Sequence, residues 1–176
     1  MGGIAAKEIL QFLEALAKAY HAPATLHLIG GGALCLLGHE RRTLDLDFSM
    51  SISEETRALR RTMENTAKAM DIELEMITLE EFVPIPDDAS RRHRFIGRFG
   101  SVEVYVYDPY TIALSKLARG LETDIQDILF LLEKGLIEIA QLEFFVEKAT
   151  PVAWKYDVDP ADLRRYMNEV RRLYRQ

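Results

Sequence analysis

The sequence predicts an α+β fold close to the α/β class: a mixed sheet flanked by helices, followed by a C-terminal helical segment. Two observations favour it. Short segments typical of strands, several of which alternate between apolar and polar residues, lie between residues 25 and 107. After Asp108-Pro109 the apolar residues recur at helical spacing. We therefore expect a core over residues 1–108 and a helical part over residues 109–176, packed on the core as one compact unit.

Each predicted element has a local signal in the sequence. Gly30-Gly31-Gly32 turns a strand into a short helix, Ser51 and Glu54 suit a capping box, and Asp159-Pro160 suits a helix start. Residues 78–90, with two prolines, are expected to form a loop. Strands are predicted at 25–29, 44–50, 72–77, 92–99 and 101–107, and helices before His21, at 33–37, 54–70, 110–119, 122–134 and 138–149, and from Pro160 onward.

Composition narrows the class of protein. The net charge is −6, so nothing in the overall charge requires a nucleic-acid or membrane surface. Cys35 is the only cysteine, which excludes an internal disulfide and predicts a reducing, cytoplasmic location. The first 20 residues have the charge spacing of an amphipathic helix, unlike a signal peptide or a membrane span. The four histidines lack metal-ligand spacing, so no zinc site is expected.

Two aspartates form the first candidate site. Asp45 and Asp47 alternate with apolar residues on the predicted strand 44–50, so their side chains share one face with Cα atoms about 6.6 Å apart. One interpretation is a solvated outer face, where water screens the two charges. The other is a site for a divalent metal, because Mg²⁺ prefers oxygen ligands and is often held by one or two carboxylates with substrate phosphates.

The glycines before these aspartates also allow two interpretations. A strand-to-helix turn needs a residue that tolerates positive φ. Alternatively, glycines at the start of a helix let backbone N–H groups approach phosphate oxygens, and Gly31 and Gly32 are then expected to face a triphosphate. A dinucleotide-binding motif does not fit, because Cys35 occupies the position of its third glycine.

The order of these features resembles the nucleotidyltransferase superfamily that includes DNA polymerase β. The features follow one another in the same order in this chain: a strand, two glycines, a short helix, and a strand with the pattern apolar-Asp-apolar-Asp-apolar. The resemblance implies a third acid on a later, adjacent strand, and Glu103 in Val102-Glu103-Val104 is the candidate. With Asp45 and Asp47 it would hold Mg²⁺ or Mn²⁺. The alternative for Glu103 is an ordinary exposed position on an alternating strand.

A closer resemblance is to the AbiEii-like nucleotidyltransferases, which include toxins of toxin–antitoxin pairs. Their first motif is matched by Arg41, Thr43, Asp45 and Asp47. Their later motifs, a helix with a lysine and an arginine and then an acidic pair, are matched by Lys116, Arg119, Asp124 and Asp127. The resemblance implies that all these residues contribute to catalysis or nucleotide binding.

The spacing of Lys116 and Arg119 can also be interpreted without the family resemblance. At spacing i, i+3 they share one helical face, from which they would bind a triphosphate and offset charge on the leaving pyrophosphate. The alternative is a solvated face paired with Asp124 or Asp127. The two aspartates would also suit the N-terminal end of a helix without any catalytic role.

These patterns favour a metal-dependent enzyme that moves a nucleoside monophosphate from an NTP to a hydroxyl on RNA, protein or a small molecule. The toxin branch adds an antitoxin protein as an expected partner, and no membrane partner is expected. The alternative is a module of the same fold that binds nucleotide or another protein without turnover. The acceptor, the preferred NTP and the oligomeric state are not specified by the sequence.

Overall fold

A computed structural model describes residues 2–51 and 53–175. Its strands are β1 (Ala24–Ile29), β2 (Asp45–Ser49), β3 (Glu73–Ile77), β4 (Arg94–Phe99) and β5 (Val102–Val106). Its α-helices are α1 (Ala6–Ala19), α2 (Gly30–Leu36), α3 (Arg57–Ala69), α4 (Pro109–Arg119), α5 (Glu122–Glu133), α6 (Ile139–Ala149) and α7 (Pro160–Tyr174). Short 3₁₀ helices span Leu79–Glu81, Ala89–Arg92 and Thr150–Tyr156. The fold class is the one predicted: a mixed sheet, flanking helices and a helical C-terminal segment.

The chain divides into two compact units. The sheet unit comprises Met1–Thr78 and His93–Tyr107, and the helical unit comprises Leu79–Arg92 and Asp108–Gln176. The last crossing between the units follows Tyr107. The segment Leu79–Arg92, which the sequence analysis assigns to the core, is grouped with the helices instead. Among the described residues, no helix combines the length and the apolar character that crossing a membrane requires.

The sheet has the strand order β3-β2-β1-β5-β4. β2 runs antiparallel to β1 and parallel to β3, while β5 runs parallel to β1 and antiparallel to β4. The two parallel pairs follow from connections long enough to carry helices, whereas β4 and β5 are joined by a tight turn at Gly100, where φ is +59°. This order decides which side chains meet on each face.

The two faces of the sheet differ in polarity. Burial alternates along β2, so Leu46 and Phe48 are buried while Asp45, Asp47 and Ser49 are partly exposed. On the apolar face α1 packs against the sheet, and the rings of Phe12 and Phe48 have centroids 6.2 Å apart. The alternation of the predicted strand is therefore confirmed from Asp45 onward. Leu44 was expected on the apolar face but precedes β2, and it is 76% exposed.

In the helical unit α4 occupies the interior. It packs against α5, α6 and α7, and residues on all its sides are buried. The spacing of Lys116 and Arg119 predicts a helix face able to reach ligand or solvent. The structure instead surrounds this helix, and Lys116 is only 4% exposed. The position of Lys116 on α4 therefore faces the interior of the helical unit rather than solvent.

Asp108 fixes the start of α4. It is fully buried, and its carboxylate accepts hydrogen bonds from the backbone N–H groups of Tyr110 and Thr111 and from the Thr111 hydroxyl. Arg92 donates to both of its oxygens, at 2.8 and 2.9 Å. These bonds raise the pKa of Arg92 above its ordinary value, mainly because its charged form is held by Asp108. Asp108 is therefore an N-cap whose charge is already compensated within the helical unit.

Candidate active site

Three carboxylates meet on the polar face of the sheet. Asp45 and Asp47 come from β2 and Glu75 from β3, and one carboxylate oxygen of each lies within 4.8 Å of the others. Asp47 and Glu75 are register partners on parallel strands, so their side chains point to the same face. Asp45 and Asp47 are partly exposed and Glu75 is exposed. We call these three residues the acidic row.

The glycine turn makes room for this group. Gly30 has φ +64°, and a Cβ atom on it would stand 2.1 Å from Oδ2 of Asp47. A Cβ atom on Gly31 would stand 2.5 Å from Oγ1 of Thr43. Any side chain at either position would displace a residue of the site, because real Cβ atoms do not approach other atoms this closely. The first two glycines are therefore required by the packing of the turn against the start of β2.

Arg41 and Thr43, predicted from the first motif, lie beside the acidic row. The backbone of Thr43 exchanges hydrogen bonds with Ile4, at 2.9 and 2.7 Å, which fixes its position. Its hydroxyl donates a long hydrogen bond of 3.5 Å to Oδ1 of Asp45. A guanidinium nitrogen of Arg41 lies 3.1 Å from the place where a Cβ of Gly31 would stand. The motif thus brings a hydroxyl and a cation to the carboxylates.

Gly32 does not share this environment. A Cβ atom on it would lie 2.9 Å from Cδ2 of Leu46 and 3.7 Å from side-chain atoms of Ile9 and Leu28. These are residues of the apolar core, so a side chain at this position would point away from the acidic row, and contact between Gly32 and a triphosphate stays a prediction. Each residue of a helix turns the chain by about 100°, which takes the third glycine away from the side that the first two present.

Glu103 is not brought to the two aspartates. On β1 its register partner is Thr25, whereas the partner of Asp47 is Ile29. Four residues of strand separate these positions, or about 13 Å. The carboxylate of Glu103 accepts a hydrogen bond from Arg98. This hydrogen bond and the positive charge of Arg98 lower the pKa of Glu103 below its ordinary value. The expectation that Glu103 completes the metal site is therefore corrected, because β5 lies on the far side of β1 and is offset along it.

Glu75 is the residue that the sequence analysis missed. It lies in Leu74-Glu75-Met76, the same apolar-acid-apolar pattern that pointed to Glu103. Both patterns fit an alternating strand. Only the pairing of β3 with β2 distinguishes them, and it follows from the parallel crossover through α3.

Lys116, Arg119, Asp124 and Asp127 form an ion cluster within the helical unit. Nζ of Lys116 lies 2.7 Å from Oδ2 of Asp127 and 3.4 Å from Oδ1 of Asp124. Arg119 donates to both oxygens of Asp124, at 2.7 and 2.6 Å. The two aspartates are at most 1% exposed, whereas the side chain of Arg119 is 62% exposed. Lys116 is therefore paired with Asp124 and Asp127, as the alternative interpretation expects, but the pairs are buried instead of solvated.

The pKa of Asp124 shows how the cluster is balanced. Burial by itself raises the pKa of this carboxyl, because it disfavours the charged form. The hydrogen bond from Arg119 and the charges of Lys116 and Arg119 outweigh that effect, so the pKa lies below its ordinary value. Asp124 is therefore ionised at neutral pH. Whether Lys116 and Arg119 also serve a triphosphate stays a prediction.

The acidic row has the composition of a site for a hard divalent cation. All its ligand atoms are carboxylate oxygens, which Mg²⁺ and Mn²⁺ favour, and none is sulfur or imidazole nitrogen. Its partial exposure leaves room for oxygens from a substrate. Three negative charges this close repel one another, and a cation between them would remove that repulsion. The residues present therefore fit such a metal.

The chain matches a known protein family over most of its length. No curated protein and no solved structure matches the chain. A family described as "nucleotidyltransferase of unknown function" (DUF6036) matches residues 6–172, which include both units and all three residues of the acidic row. Since the match covers nearly the whole sequence, this chain belongs to that family of nucleotidyltransferases.

Proposed function

We propose that this protein transfers a nucleoside monophosphate from an NTP to a hydroxyl acceptor and that the transfer depends on Mg²⁺ or Mn²⁺. The observation that supports it is the acidic row, where Asp45, Asp47 and Glu75 offer three carboxylate oxygens within 4.8 Å. Membership in a nucleotidyltransferase family supports the reaction class. The acceptor remains open among RNA, protein and small molecules.

The acidic row would hold the metal. A divalent cation bound there would supply charge stabilisation for the transferring phosphoryl group and for the attacking and leaving oxygens. Thr43 helps to orient Asp45 through its hydroxyl, and Gly30 leaves the space that Asp47 occupies. Arg41 places a fixed positive charge beside Gly31, where it would offset negative charge on phosphate oxygens.

The transfer has a simple balance. The acceptor oxygen forms a bond to the α-phosphorus, and the bond from that phosphorus to the oxygen bridging the α- and β-phosphates breaks. Pyrophosphate leaves with the electron pair, and the hydroxyl proton passes to water or to a carboxylate. The chain contributes position and charge rather than a covalent intermediate.

A transfer assay tests the proposal. The protein is incubated with each α-³²P-labelled NTP, Mg²⁺ or Mn²⁺ and a cell extract, and label in RNA, protein and small molecules is measured separately. We expect transfer that EDTA and Asp47→Asn abolish. Glu80→Gln, a change at an exposed acid in the helical unit, is the matched control and should retain activity.

The same assay separates the main alternative, a module that binds nucleotide without turnover. Such a module would gain stability from an NTP with Mg²⁺, and Asp47→Asn would lose that gain, yet no label would move under any condition. Stabilisation without transfer would therefore support the binding module and reject the enzyme. Neither stabilisation nor transfer would reject both.

The relation to the AbiEii-like toxins is a finer proposal, supported by the match of Arg41, Thr43, Asp45 and Asp47 to their first motif. A toxin would arrest growth when expressed in bacterial cells, and Asp47→Asn would relieve the arrest at equal protein level. Equal growth with the wild-type and variant proteins would argue against a toxin while leaving the transfer reaction open.

A further inference from the structure

A second row of side chains lies beside the acidic row on the same face of the sheet. His27 of β1 is in register with Ser49 of β2 and with Tyr105 of β5, and Tyr105 is in register with Phe95 of β4. Register partners point to the same face, so these rings lie on the side that carries Asp47. We call Phe95, Tyr105 and His27, with His93 and Tyr107 packed on them, the aromatic row.

The rings of the aromatic row are in continuous contact. Ring centroids lie 5.2 Å apart for Phe95 and Tyr105, and 5.7 Å apart for Tyr105 and His27, whose planes differ by 26°. His27 and His93 are 4.6 Å apart, and His93 and Tyr107 are 4.5 Å apart. These separations are those of stacked or tilted aromatic pairs. The five rings therefore form one surface.

Packing of the rings on one another explains only part of the row. Tyr107 is 7% exposed and belongs to the interior of the cluster. Phe95, in contrast, is 59% exposed, and Tyr105, His27 and His93 are partly exposed. Exposed rings in contact with one another are a common feature of binding surfaces, whereas a single exposed apolar residue is not informative.

The aromatic row is within one nucleotide of the acidic row. Ser49, the register partner of His27, follows Asp47 by two residues, a shift of about 6.6 Å along the sheet. His27 is one strand further across, about 4.8 Å, so the Cα atoms of Asp47 and His27 are roughly 8 Å apart. Burial, together with the proximity of His93, lowers the pKa of His27 to about 4, so its ring is neutral at pH 7. A neutral ring favours stacking without an anionic partner.

We propose that the aromatic row stacks the base of the nucleoside triphosphate whose phosphates lie at the acidic row. The inference rests on the proposed function for the placement of the phosphates, and it adds the subsite for the base. Tyr105 and His27 supply the nearest exposed ring surface, and Phe95 extends it toward the edge of the sheet. Stacking accepts every base, so this subsite provides affinity rather than strong selection among NTPs.

The test compares ligands with and without a base. ATP and inorganic tripolyphosphate are titrated, each with Mg²⁺, into the wild type and Tyr105→Leu. We expect the variant to lose roughly 5- to 100-fold in affinity for ATP, the scale of one stacking contact. Affinity for tripolyphosphate should change less than about twofold, since it has nothing to stack. Tyr105→Phe keeps the ring and should bind ATP like the wild type.

Two further variants complete the design. Phe95→Leu changes an exposed residue and should weaken ATP binding in the same selective way, so the test holds even if Tyr105→Leu fails to fold. Phe82→Leu is the matched control, because Phe82 is 54% exposed and lies outside the aromatic row. Equal losses for ATP and tripolyphosphate, or no loss for either, would overturn the proposal. Loss of affinity for a short single-stranded RNA but not for ATP would overturn it in favour of the acceptor.

A phosphate-free probe separates this proposal from the proposed function. The fluorescence of 2-aminopurine riboside is quenched when its base stacks on aromatic rings. We expect quenching by the wild type and by Asp47→Asn alike, and none by Tyr105→Leu. Quenching without nucleotidyl transfer would uphold the subsite and reject the enzyme, whereas transfer without quenching would do the reverse.

Discussion

Oδ2 of Asp47 occupies the space that a side chain at Gly30 would fill, since a Cβ atom there would stand 2.1 Å from this oxygen. Gly30 also has φ +64°, a conformation that other residues adopt only with strain. A side chain at Gly30 would therefore displace the carboxylate of Asp47 in the acidic row. This relationship gives the first prediction a matched control.

Gly30→Ala should destabilise the protein more than Gly135→Ala does. Gly135 has φ +65°, but nothing lies within 4 Å of its Cβ position, so alanine there adds only the backbone strain of about 1–2 kcal/mol. At Gly30 the displacement of Asp47 adds to that strain and should also remove stabilisation by Mg²⁺ with NTP. Urea unfolding with and without these ligands measures both effects. Equal losses in the two variants would show that Asp47 is not held by this contact.

Glu75→Gln should abolish the rise in melting temperature that Mg²⁺ with NTP produces, while Glu103→Gln should keep it. A ligand that binds only the folded state stabilises it by mass action, about 2.7 kcal/mol at 100 times its Kd. Without metal, Glu75→Gln should leave stability unchanged or slightly higher, because it removes a repulsion between like charges. Thermal unfolding of both variants decides the matter. The opposite pattern would return the third carboxylate to β5.

Lys116→Ala should lower the free energy of unfolding by about 3–5 kcal/mol, because it leaves the buried Asp127 without its nearest cation. Lys7→Ala, at an exposed lysine, should change it by less than about 0.5 kcal/mol. The double variant Lys116→Met, Asp127→Leu should recover much of the loss, since apolar residues of similar volume can replace a buried ion pair. Unchanged stability with weaker NTP binding would instead mean that Lys116 serves the triphosphate.

His27 should make stability depend on pH above the range of the carboxylates. Its pKa is about 4 in the folded state, because of burial and the nearby His93, against about 6.5 in an unfolded chain. Between these values the unfolded state binds the extra proton, so stability is complete above pH 6.5 and falls as the pH is lowered. The slope is at most about 1.4 kcal/mol per pH unit. Chemical unfolding between pH 6.5 and 5 should show it.

His27→Phe keeps a ring in the aromatic row but cannot titrate, so this variant should flatten the slope. His21→Phe, a change at an exposed histidine, serves as its control. A slope that is the same in the wild type and His27→Phe would show that another group controls the pH dependence.

The order of the helices and strands could be predicted because each one has its own local periodicity of apolar residues. Alternation around Asp45 and Asp47 marks β2, and Asp159-Pro160 marks the start of α7, where Oδ1 of Asp159 accepts from the N–H of Ala161 at 2.8 Å. The start of helix α3 was harder to predict from the sequence. It begins at Arg57 rather than at Glu54, and the hydroxyl of Thr56 bonds the N–H of Ser53 in a turn before it. Competing hydroxyls make such starts hard to locate.

The site could be predicted only in part, because the position of its third carboxylate depends on contacts distant in sequence. Asp45 and Asp47 are two residues apart, so their shared face follows from strand geometry alone. The choice between Glu75 and Glu103 depends on which strand pairs with β2, and no local pattern encodes that. The partners of Lys116 likewise depend on the packing of α4 against α5. Spacing along one helix says which residues share a face, not whether that face is buried.

The path of the chain limits how this protein can be cut into fragments. The backbone passes between the two units after Thr78, after Arg92 and after Tyr107, so each unit is assembled from two separate segments. Cleavage at the junction before Asp108 would leave Arg92 on one fragment and its fully buried partner on the other. A fragment that starts at Asp108 would carry this carboxylate without its arginine, and one that ends there would carry residues 79–92 without the helices they are grouped with. The cut therefore divides the helical unit between the two fragments, whereas every residue of the sheet unit stays on the first one.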